Sequence, residues 1–200
     1  FGKWHNTPME EASPAGPFES WPTGIWGFEY FWGFMGGETN QFHPLLYENN
    51  TAIDTPETNA DGSEFHISQG MADQAIKWLY NWRGLRDSPF FIYYTPGAVH
   101  APHHVPQSYI DKQKGRFDEG WDVIRGRIFE NQKRLGVVPA ETKLAKKPDD
   151  IKDWADLSEN EKKLFSRQAE VWAAFLDMTD QEVGRLIQSI EDMGESDNTL

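Results

Sequence analysis

Two short stretches of this sequence carry side chains that could act on an anion. The first is Lys3-Trp4-His5, in which lysine and histidine are two residues apart. In an extended chain, side chains two residues apart lie on the same face. Lysine supplies a fixed positive charge, and histidine supplies a proton that moves near neutral pH. The spacing therefore allows both to bind one anionic group, with an unremarkable exposed pair as the alternative.

The second stretch is rich in histidine and follows an apolar run. His100, His103 and His104 lie between Gly97 and Pro106. Ligands of open α/β sheets bind at the carboxyl ends of strands, so we expect at least one functional histidine here. A three-histidine zinc site is less favoured, because proline breaks the regular spacing and no acidic residue adjoins. Loop histidines with hydrogen-bonded rings are the other interpretation.

Weaker candidates lie elsewhere. His43 could line a pocket, and His66 is expected to begin a helix. Glu10-Glu11 is interpreted as solvated surface, and Asn49-Asn50-Thr51 is a formal glycosylation sequon that matters only if the protein is secreted. The sequence contains no phosphate-binding glycine loop, serine nucleophile elbow or calcium loop.

The elements next to the second stretch resemble half of an α/β repeat. Residues 66–83 have helical apolar spacing, with Ser68 as a possible cap and Gly84 as a possible end. Residues 89–95 form a continuous apolar run, which predicts a strand buried on both faces. A helix followed by a buried strand is typical of an α/β fold.

The second half of the chain is predicted to be mostly helical. Residues 107–136 form a helical region divided by glycines, and 140–157 form a polar surface excursion. Ser158 and Glu161 fit a capping box, which predicts the start of a long helix over about 160–193.

The first 62 residues are expected to be a long irregular segment, because prolines and glycines interrupt them throughout. Aromatic residues make up 14% of the chain and many lie here, so the segment should pack on a scaffold. Gly2–His5 is interpreted as the exit from a strand, and 197–200 as the entry to another. We therefore expect both ends to lie inside an α/β domain.

Composition excludes several classes of protein. The 200 residues have a formal net charge of −13, which argues against a general nucleic-acid binder. No apolar run is long enough to span a membrane. The chain has no cysteine, so it contains no disulfide, thiolate zinc site or cysteine nucleophile.

Taken together, the two stretches resemble the sulfatase family of the alkaline-phosphatase-like superfamily. Gly2-Lys3-Trp4-His5 matches the family's G-K-W-H signature, and His100-x-Pro102-x-x-x-Pro106 matches its second motif. Asp180-x-x-Val183-Gly184 followed by Asp197-Asn198-Thr199-Leu200 is similar to the family's approach to a metal-binding strand. The resemblance implies a three-layer α/β sandwich with a mostly parallel central sheet, present here only in part.

The resemblance also implies an internal part of one catalytic domain. Its three sections would be an aromatic-rich irregular segment over 1–62, a helix, strand and histidine loop over 63–106, and a helical region over 107–200.

Residue by residue, the resemblance implies three catalytic positions. Lys3 would contact a sulfate oxygen, His5 would act as a base, and His100 would contact the sulfate and the leaving oxygen. His103 and His104 do not match the catalytic position and are expected at the rim or behind it. The aromatic segment would shape the entrance for a sulfated small molecule or glycan.

The family's cofactors are Ca²⁺ or Mg²⁺ and a formylglycine made from cysteine by a maturation system. Their residues are expected outside this chain, so the isolated 200 residues are expected to be inactive. A phosphonate monoester or phosphodiester hydrolase of the same superfamily is one alternative. A non-catalytic glycan-binding module and a pseudo-enzyme are the others. The compartment stays open between periplasmic or secreted and cytoplasmic.

Overall fold

The structure, a computed structural model, describes residues 1–85 and 88–200. It has an α/β fold with one mixed four-stranded sheet. The chain divides into two compact units, of which the first contains residues 1–106 and 175–200 and the second contains residues 107–174. Among the described residues, no helix is long and apolar enough to cross a membrane.

The sheet lies in the first unit, in the order β1-β2-β3-β4. Its strands are β1 (Gly2–Trp4), β2 (Trp32–Met35), β3 (Leu46–Glu48) and β4 (Thr51–Ile53). β1 and β2 are parallel, whereas β2–β3 and β3–β4 are antiparallel. The expectation of an irregular segment over 1–62 is therefore wrong where these strands form. Strands of three or four residues are too short to show a period of two.

The segment 89–95 is only partly as predicted. Thr95 pairs with β1 in parallel: its N–H donates to Phe1 O (2.9 Å), and its carbonyl accepts from Lys3 N (2.7 Å). Burial on both faces is wrong, because Phe91 is 76% exposed. The alternate residues Phe90, Ile92 and Tyr94 pack on a helical cluster, so only that face is well covered. Residues 86 and 87, which precede this segment in the sequence, lie outside the described residues.

The helices agree with their predicted ranges. They are α1 (Ile67–Trp82), α2 (Gln107–Lys112), α3 (Trp121–Arg134) and α4 (Glu159–Asp192), with short 3₁₀ turns at Arg83–Leu85, Trp154–Asp156 and Ser196–Asn198. The long helix is thus confirmed to within a residue at each end, and it is uninterrupted at Gly184.

Two helix starts illustrate local capping. Before α4, Ser158 Oγ lies 2.7 Å from a Glu161 carboxylate oxygen that also accepts from Ser158 N (2.8 Å), and Glu161 N donates back to Ser158 Oγ (3.3 Å). The predicted capping box is confirmed. At α1 the cap is His66 rather than Ser68, since His66 Nδ1 accepts from Ser68 N. The Nδ1 atom of histidine is bonded to Cγ, as is the side-chain oxygen of asparagine, which is a preferred capping residue. Histidine can therefore accept the same hydrogen bond in place of the expected serine.

Close backbone approach holds β1 in place. A Cβ atom at Gly33 would lie 1.9 Å from Gly2 O, and Gly2 itself has a φ of +105°. Only glycine fits at either position. Buried aromatic and aliphatic side chains from the sheet, α1 and the segment before β2 then fill the core around them, including Trp4, Trp21, Trp32, Phe34, Leu46, Tyr47 and Met71.

The second unit contains α2, α3, the polar excursion and the amino-terminal part of α4. Trp121 and Trp154 meet edge to face at 4.9 Å, so the excursion is anchored by an aromatic contact. Lys147 Nζ lies 2.7 Å from Asp122, which lowers the pKa of that carboxyl and raises the pKa of the lysine through their hydrogen bond.

Candidate functional site

Lys3 is the central residue of β1, and His5 directly follows the carboxyl end of that strand. Hydrogen bonds hold Lys3 through its main chain, since its N–H donates to Thr95 O (2.7 Å) and its carbonyl accepts from the Thr95 hydroxyl (2.9 Å). Between them, Trp4 is 4% exposed, and its indole N–H donates to Thr7 Oγ1 (3.1 Å). The Lys3 side chain is partly buried and His5 is exposed. The buried Trp4 side chain thus holds β1 in place, and the residues on either side of it, Lys3 and His5, can bind a ligand.

The turn after β2 lies against His5. Gly36 N donates to Trp4 O (2.7 Å), which continues the parallel pairing beyond the strands. A Cβ atom at Gly37 would lie 3.1 Å from Cε1 of the His5 imidazole. The absence of a side chain at Gly37 therefore lets the backbone approach the ring closely.

His100 lies in the loop that follows Thr95. Its N–H donates to Gly97 O (3.0 Å), and its ring Nδ1 lies 2.7 Å from Ala101 O. A carbonyl can only accept, so this contact assigns the proton to Nδ1 and leaves Nε2 for a ligand. A carboxylate oxygen of Glu38 lies 3.6 Å from the same Nδ1. The His100 and Glu38 side chains are 51% and 63% exposed, so a ligand can reach both.

These residues converge because three extended segments run in parallel. His5 follows β1, Glu38 follows β2, and His100 follows the segment that ends at Thr95. The carboxyl ends of parallel strands meet at one edge of a sheet, where α/β proteins bind their ligands. The turn at 36–38 contacts His5 through Gly37 and His100 through Glu38. Two histidines that are 95 residues apart in sequence therefore border one turn.

The other histidines of the loop have different environments. His103 is exposed, whereas His104 is partly buried and stacks on Phe42 with ring centroids 6.3 Å apart. The carbonyl of His104 lies 3.0 Å from Nε2 of His66, which is 0% exposed. Burial lowers the pKa of His66 to about 4, so its ring is neutral at physiological pH.

Sequence reasoning missed two participants. Glu38 has no distinguishing pattern, because its partner His100 is 62 positions away. His66 was expected only to begin a helix, whereas it also binds the histidine loop through the carbonyl of His104. A polar residue placed before an apolar helical run is a cap signal, but it carries no information about a second contact.

The described residues do not fit the metal and the modified nucleophile of sulfatases. They contain no cluster of three or more histidine, cysteine, aspartate or glutamate side chains that could hold a metal ion. The less favoured three-histidine zinc site is therefore not formed among them. The sequence has no cysteine from which formylglycine could arise.

A family model described as Sulfatase matches residues 1–200. The chain therefore belongs to the sulfatase family, as the two motifs indicated. Its α/β fold with a mixed sheet also agrees with the expected alkaline-phosphatase-like class.

The chain is also similar in sequence to individual sulfatases. The chain is 34% identical over 206 residues to an uncharacterized sulfatase of Schizosaccharomyces pombe, covering 100% of this chain and 36% of the relative. It is 27% identical over 206 residues to an arylsulfatase of Klebsiella aerogenes, covering 100% of this chain and 42% of the relative. The chain thus spans well under half the length of these curated relatives.

Among solved structures, the chain is similar to Ps i-CgsB in complex with k-i-k-neocarrahexaose. The TM-score is 0.55 with 16% identity, and the match covers 99% of this chain and 34% of that chain. At this identity the similarity concerns the fold.

Proposed function

We propose that the protein containing this chain hydrolyses sulfate esters, and that Lys3, His5 and His100 contact the sulfate group. The observation that carries the proposal is the convergence of His5, Glu38 and His100 at the carboxyl edge of three parallel segments. Lys3 lies on β1 two residues before His5. Membership of the sulfatase family supports the same reaction.

The chemistry follows from the charge of the substrate. A sulfate ester carries negative charge on its oxygens, and further charge develops on the leaving oxygen as its bond to sulfur breaks. The Lys3 ammonium would offset charge on the sulfate, which is an electrostatic contribution. With its Nδ1 proton bound to Ala101 O, protonated His100 would donate from Nε2 to the leaving oxygen. Glu38 offers the imidazolium a counter-charge. His5 would accept the proton of the hydroxyl nucleophile as its oxygen forms the new bond to sulfur.

We further propose an arylsulfatase type of activity. The relative from Klebsiella aerogenes bears that name. Lys3 lines a small cavity together with aromatic side chains that include Phe28 and Tyr93, whose rings stack at 6.2 Å. The cavity volume is about 30 Å³, close to that of one water molecule, so these rings can flank an aryl leaving group but not enclose it. A sulfated glycan is the other substrate class, since the similar solved structure contains a neocarrahexaose.

The proposal includes Ca²⁺ or Mg²⁺, formylglycine and its maturation system, with the residues for both groups outside this chain. Two measurements on the full-length protein address this part. Intact mass should show conversion of one cysteine or serine to formylglycine, and a chelator should reduce sulfate release. An unmodified mass with full activity, or activity unaffected by chelation, would contradict it.

The main test compares substrates and variants of the full-length protein. We expect kcat/KM to be higher for 4-nitrophenyl sulfate than for a 4-nitrophenyl phosphodiester. Lys3→Ala and His100→Ala should each lower kcat/KM by about 10²- to 10³-fold, as the loss of a preorganised electrostatic group does. Lys77→Ala is the matched control, because Lys77 is an exposed lysine on α1.

Two results would refute the proposal. Variants of Lys3 and His100 with unchanged kcat/KM would remove these residues from the site. A clear preference for the phosphodiester would favour the phosphonate monoester or phosphodiester hydrolase, because lysine and histidine contacts do not by themselves distinguish sulfuryl from phosphoryl groups.

A further inference from the structure

A shallow groove lies beside the loop that carries His100. We call it the histidine groove, and it is lined by Asn40, Phe42, His43, Glu64, His103, His104 and Val105. Its volume is about 370 Å³, which is within the usual size of small-ligand sites. None of these side chains has a role in the sulfate contacts proposed above.

The groove is built from the same two loops as the Glu38–His100 pair. Asn40 and His43 lie two and five residues after Glu38, and His103 lies three residues after His100. A substrate held at His100 would therefore have the groove as a neighbour along both loops.

Hydrogen bonds fix both walls of the groove before any ligand binds. The side-chain oxygen of Asn40 accepts from the N–H groups of Phe42 and His43, both at 3.0 Å. On the other wall, buried His66 binds the carbonyl of His104 at 3.0 Å. Preorganised walls lower the entropy cost of binding.

Three polar side chains of the groove are available to hydrogen-bond a ligand. His43, Glu64 and His103 are exposed, and their side chains make no hydrogen bond or ion pair with another described residue. Imidazoles can donate and accept, and a carboxylate accepts from hydroxyl groups. Phe42 adds an apolar surface to the groove. Mixed donors and acceptors beside an aromatic ring suit a polyhydroxylated ring.

The charge of the groove further restricts the class of ligand that it can bind. Among the residues that the structure describes, Glu64 is the acidic side chain of the groove, and no lysine or arginine lines it. A second sulfate group placed here would meet a negative charge with no cation to offset it. The groove thus favours an uncharged ring. A metal ion is not favoured, because no metal-binding cluster exists in the part of the chain that the structure describes.

We propose that the histidine groove binds the hydroxyl groups of an uncharged sugar ring adjoining the sulfated ring held at His100. This rests on the proposed sulfatase function and deepens it by naming a subsite for a sulfated glycan.

The first test compares two substrates of the full-length protein. One is a disaccharide with sulfate only on the ring to be cleaved, and the other is 4-nitrophenyl sulfate, which has no second ring. Glu64→Ala and His43→Ala should each lower kcat/KM for the disaccharide about tenfold, the usual effect of losing one hydrogen bond to a charged or polar group. They should change kcat/KM for the aryl sulfate less than about twofold. Equal effects on both substrates, or none on the disaccharide, would overturn the proposal.

Glu57→Ala is the matched control for Glu64→Ala. Glu57 is an exposed carboxylate in the same loop, and it does not line the groove. We expect wild-type kcat/KM on both substrates. The thermal unfolding midpoint of each variant separates a local effect from loss of folding.

A second test uses charge. Glu64→Gln removes the negative charge and keeps a hydrogen-bond acceptor. The ratio of kcat/KM for a disaccharide sulfated on both rings to that for the monosulfated disaccharide should rise about fivefold or more, because like-charge repulsion is relieved. An unchanged ratio would show that Glu64 does not face the second ring.

A binding measurement separates the subsite from the reaction. If the wild-type protein releases no sulfate from either substrate, the proposed function fails, and saturation-transfer NMR with the unsulfated disaccharide tests the groove alone. Signal in the wild type that is lost in Glu64→Ala supports the subsite. Equal signal in both proteins, or no signal in the wild type, overturns it. Lys3→Ala should lower kcat/KM for hydrolysis of both substrates by about 10²- to 10³-fold and leave this binding unchanged.

Discussion

His66 joins the amino end of α1 to the histidine loop, and we expect its substitution to change both stability and its pH dependence. The side chain is 0% exposed and makes two hydrogen bonds, accepting from Ser68 N (3.2 Å) and donating to His104 O (3.0 Å). Phe42 and Phe175 pack edge to face on its ring. We expect His66→Asn to keep the helix cap and lose the second bond.

The magnitude at neutral pH follows from the lost contacts. A buried carbonyl left without its donor costs about 1–3 kcal/mol, and truncation of a buried ring adds a cavity. We therefore expect His66→Asn to lower the free energy of unfolding by about 3 kcal/mol at pH 7.5. The loop that carries His100 should then also show faster amide exchange.

The pH dependence has a definite sign. Desolvation lowers the pKa of His66 from 6.5 to about 4 in the folded state. Between these values the unfolded state binds more protons than the folded state, so the free energy of unfolding falls as the pH falls. The slope is about 1.4 kcal/mol per pH unit inside the window. The lowered pKa of His66 should therefore make the free energy of unfolding of the wild type about 2 kcal/mol smaller at pH 5 than at pH 7.5.

The assay is urea unfolding of the full-length protein at pH 7.5 and pH 5, followed by tryptophan fluorescence. Other titrating groups are common to both proteins and cancel in the difference between wild type and His66→Asn. That difference should shrink by about 2 kcal/mol at pH 5. His43→Asn controls for removal of an exposed histidine. A difference independent of pH would refute a neutral, desolvated His66.

Three further predictions concern folding and stability. Gly33→Ala should prevent folding of the sheet, because the added Cβ would lie 1.9 Å from Gly2 O, whereas Gly126→Ala on the open surface of α3 should raise the free energy of unfolding by about 0.5–1 kcal/mol. Circular dichroism and thermal unfolding measure both effects. A normally folded Gly33→Ala variant would contradict the close approach of the two strands. Ser158→Ala should cost about 1 kcal/mol by removing the capping box with Glu161. An unchanged unfolding midpoint for Ser158→Ala would show that the cap contributes nothing to stability.

Helices were predictable because their signals are local. The apolar spacing of 160–193 and the Ser158–Glu161 pair involve residues within a few positions of each other, and α4 begins and ends within a residue of the prediction. The same holds for α1, although the capping atom belongs to His66 rather than Ser68. Choice of the capping residue depends on which side chain is buried beside the helix end.

The sheet was less predictable. β2, β3 and β4 have three or four residues each, and they are held by pairings with residues that local sequence does not identify. The β3–β4 turn contains Asn49 at φ 55°, so part of the formal sequon forms a hairpin turn. The run at 89–95 has uniform apolarity, but contacts cover one face well and leave Phe91 exposed.

By itself, the sequence determined the family and the residue types available for chemistry. Lys3, His5 and His100 could be named from short motifs, since each motif is contiguous and its residues are read without knowledge of the fold. The tertiary structure decided which side chains meet. Glu38 reaches His100 because parallel β1, β2 and the Thr95 segment end at one edge, and this pairing depends on main-chain hydrogen bonds between distant residues. Main-chain hydrogen bonds form in the same way for almost any residue type, so the sequence does not show which segments pair.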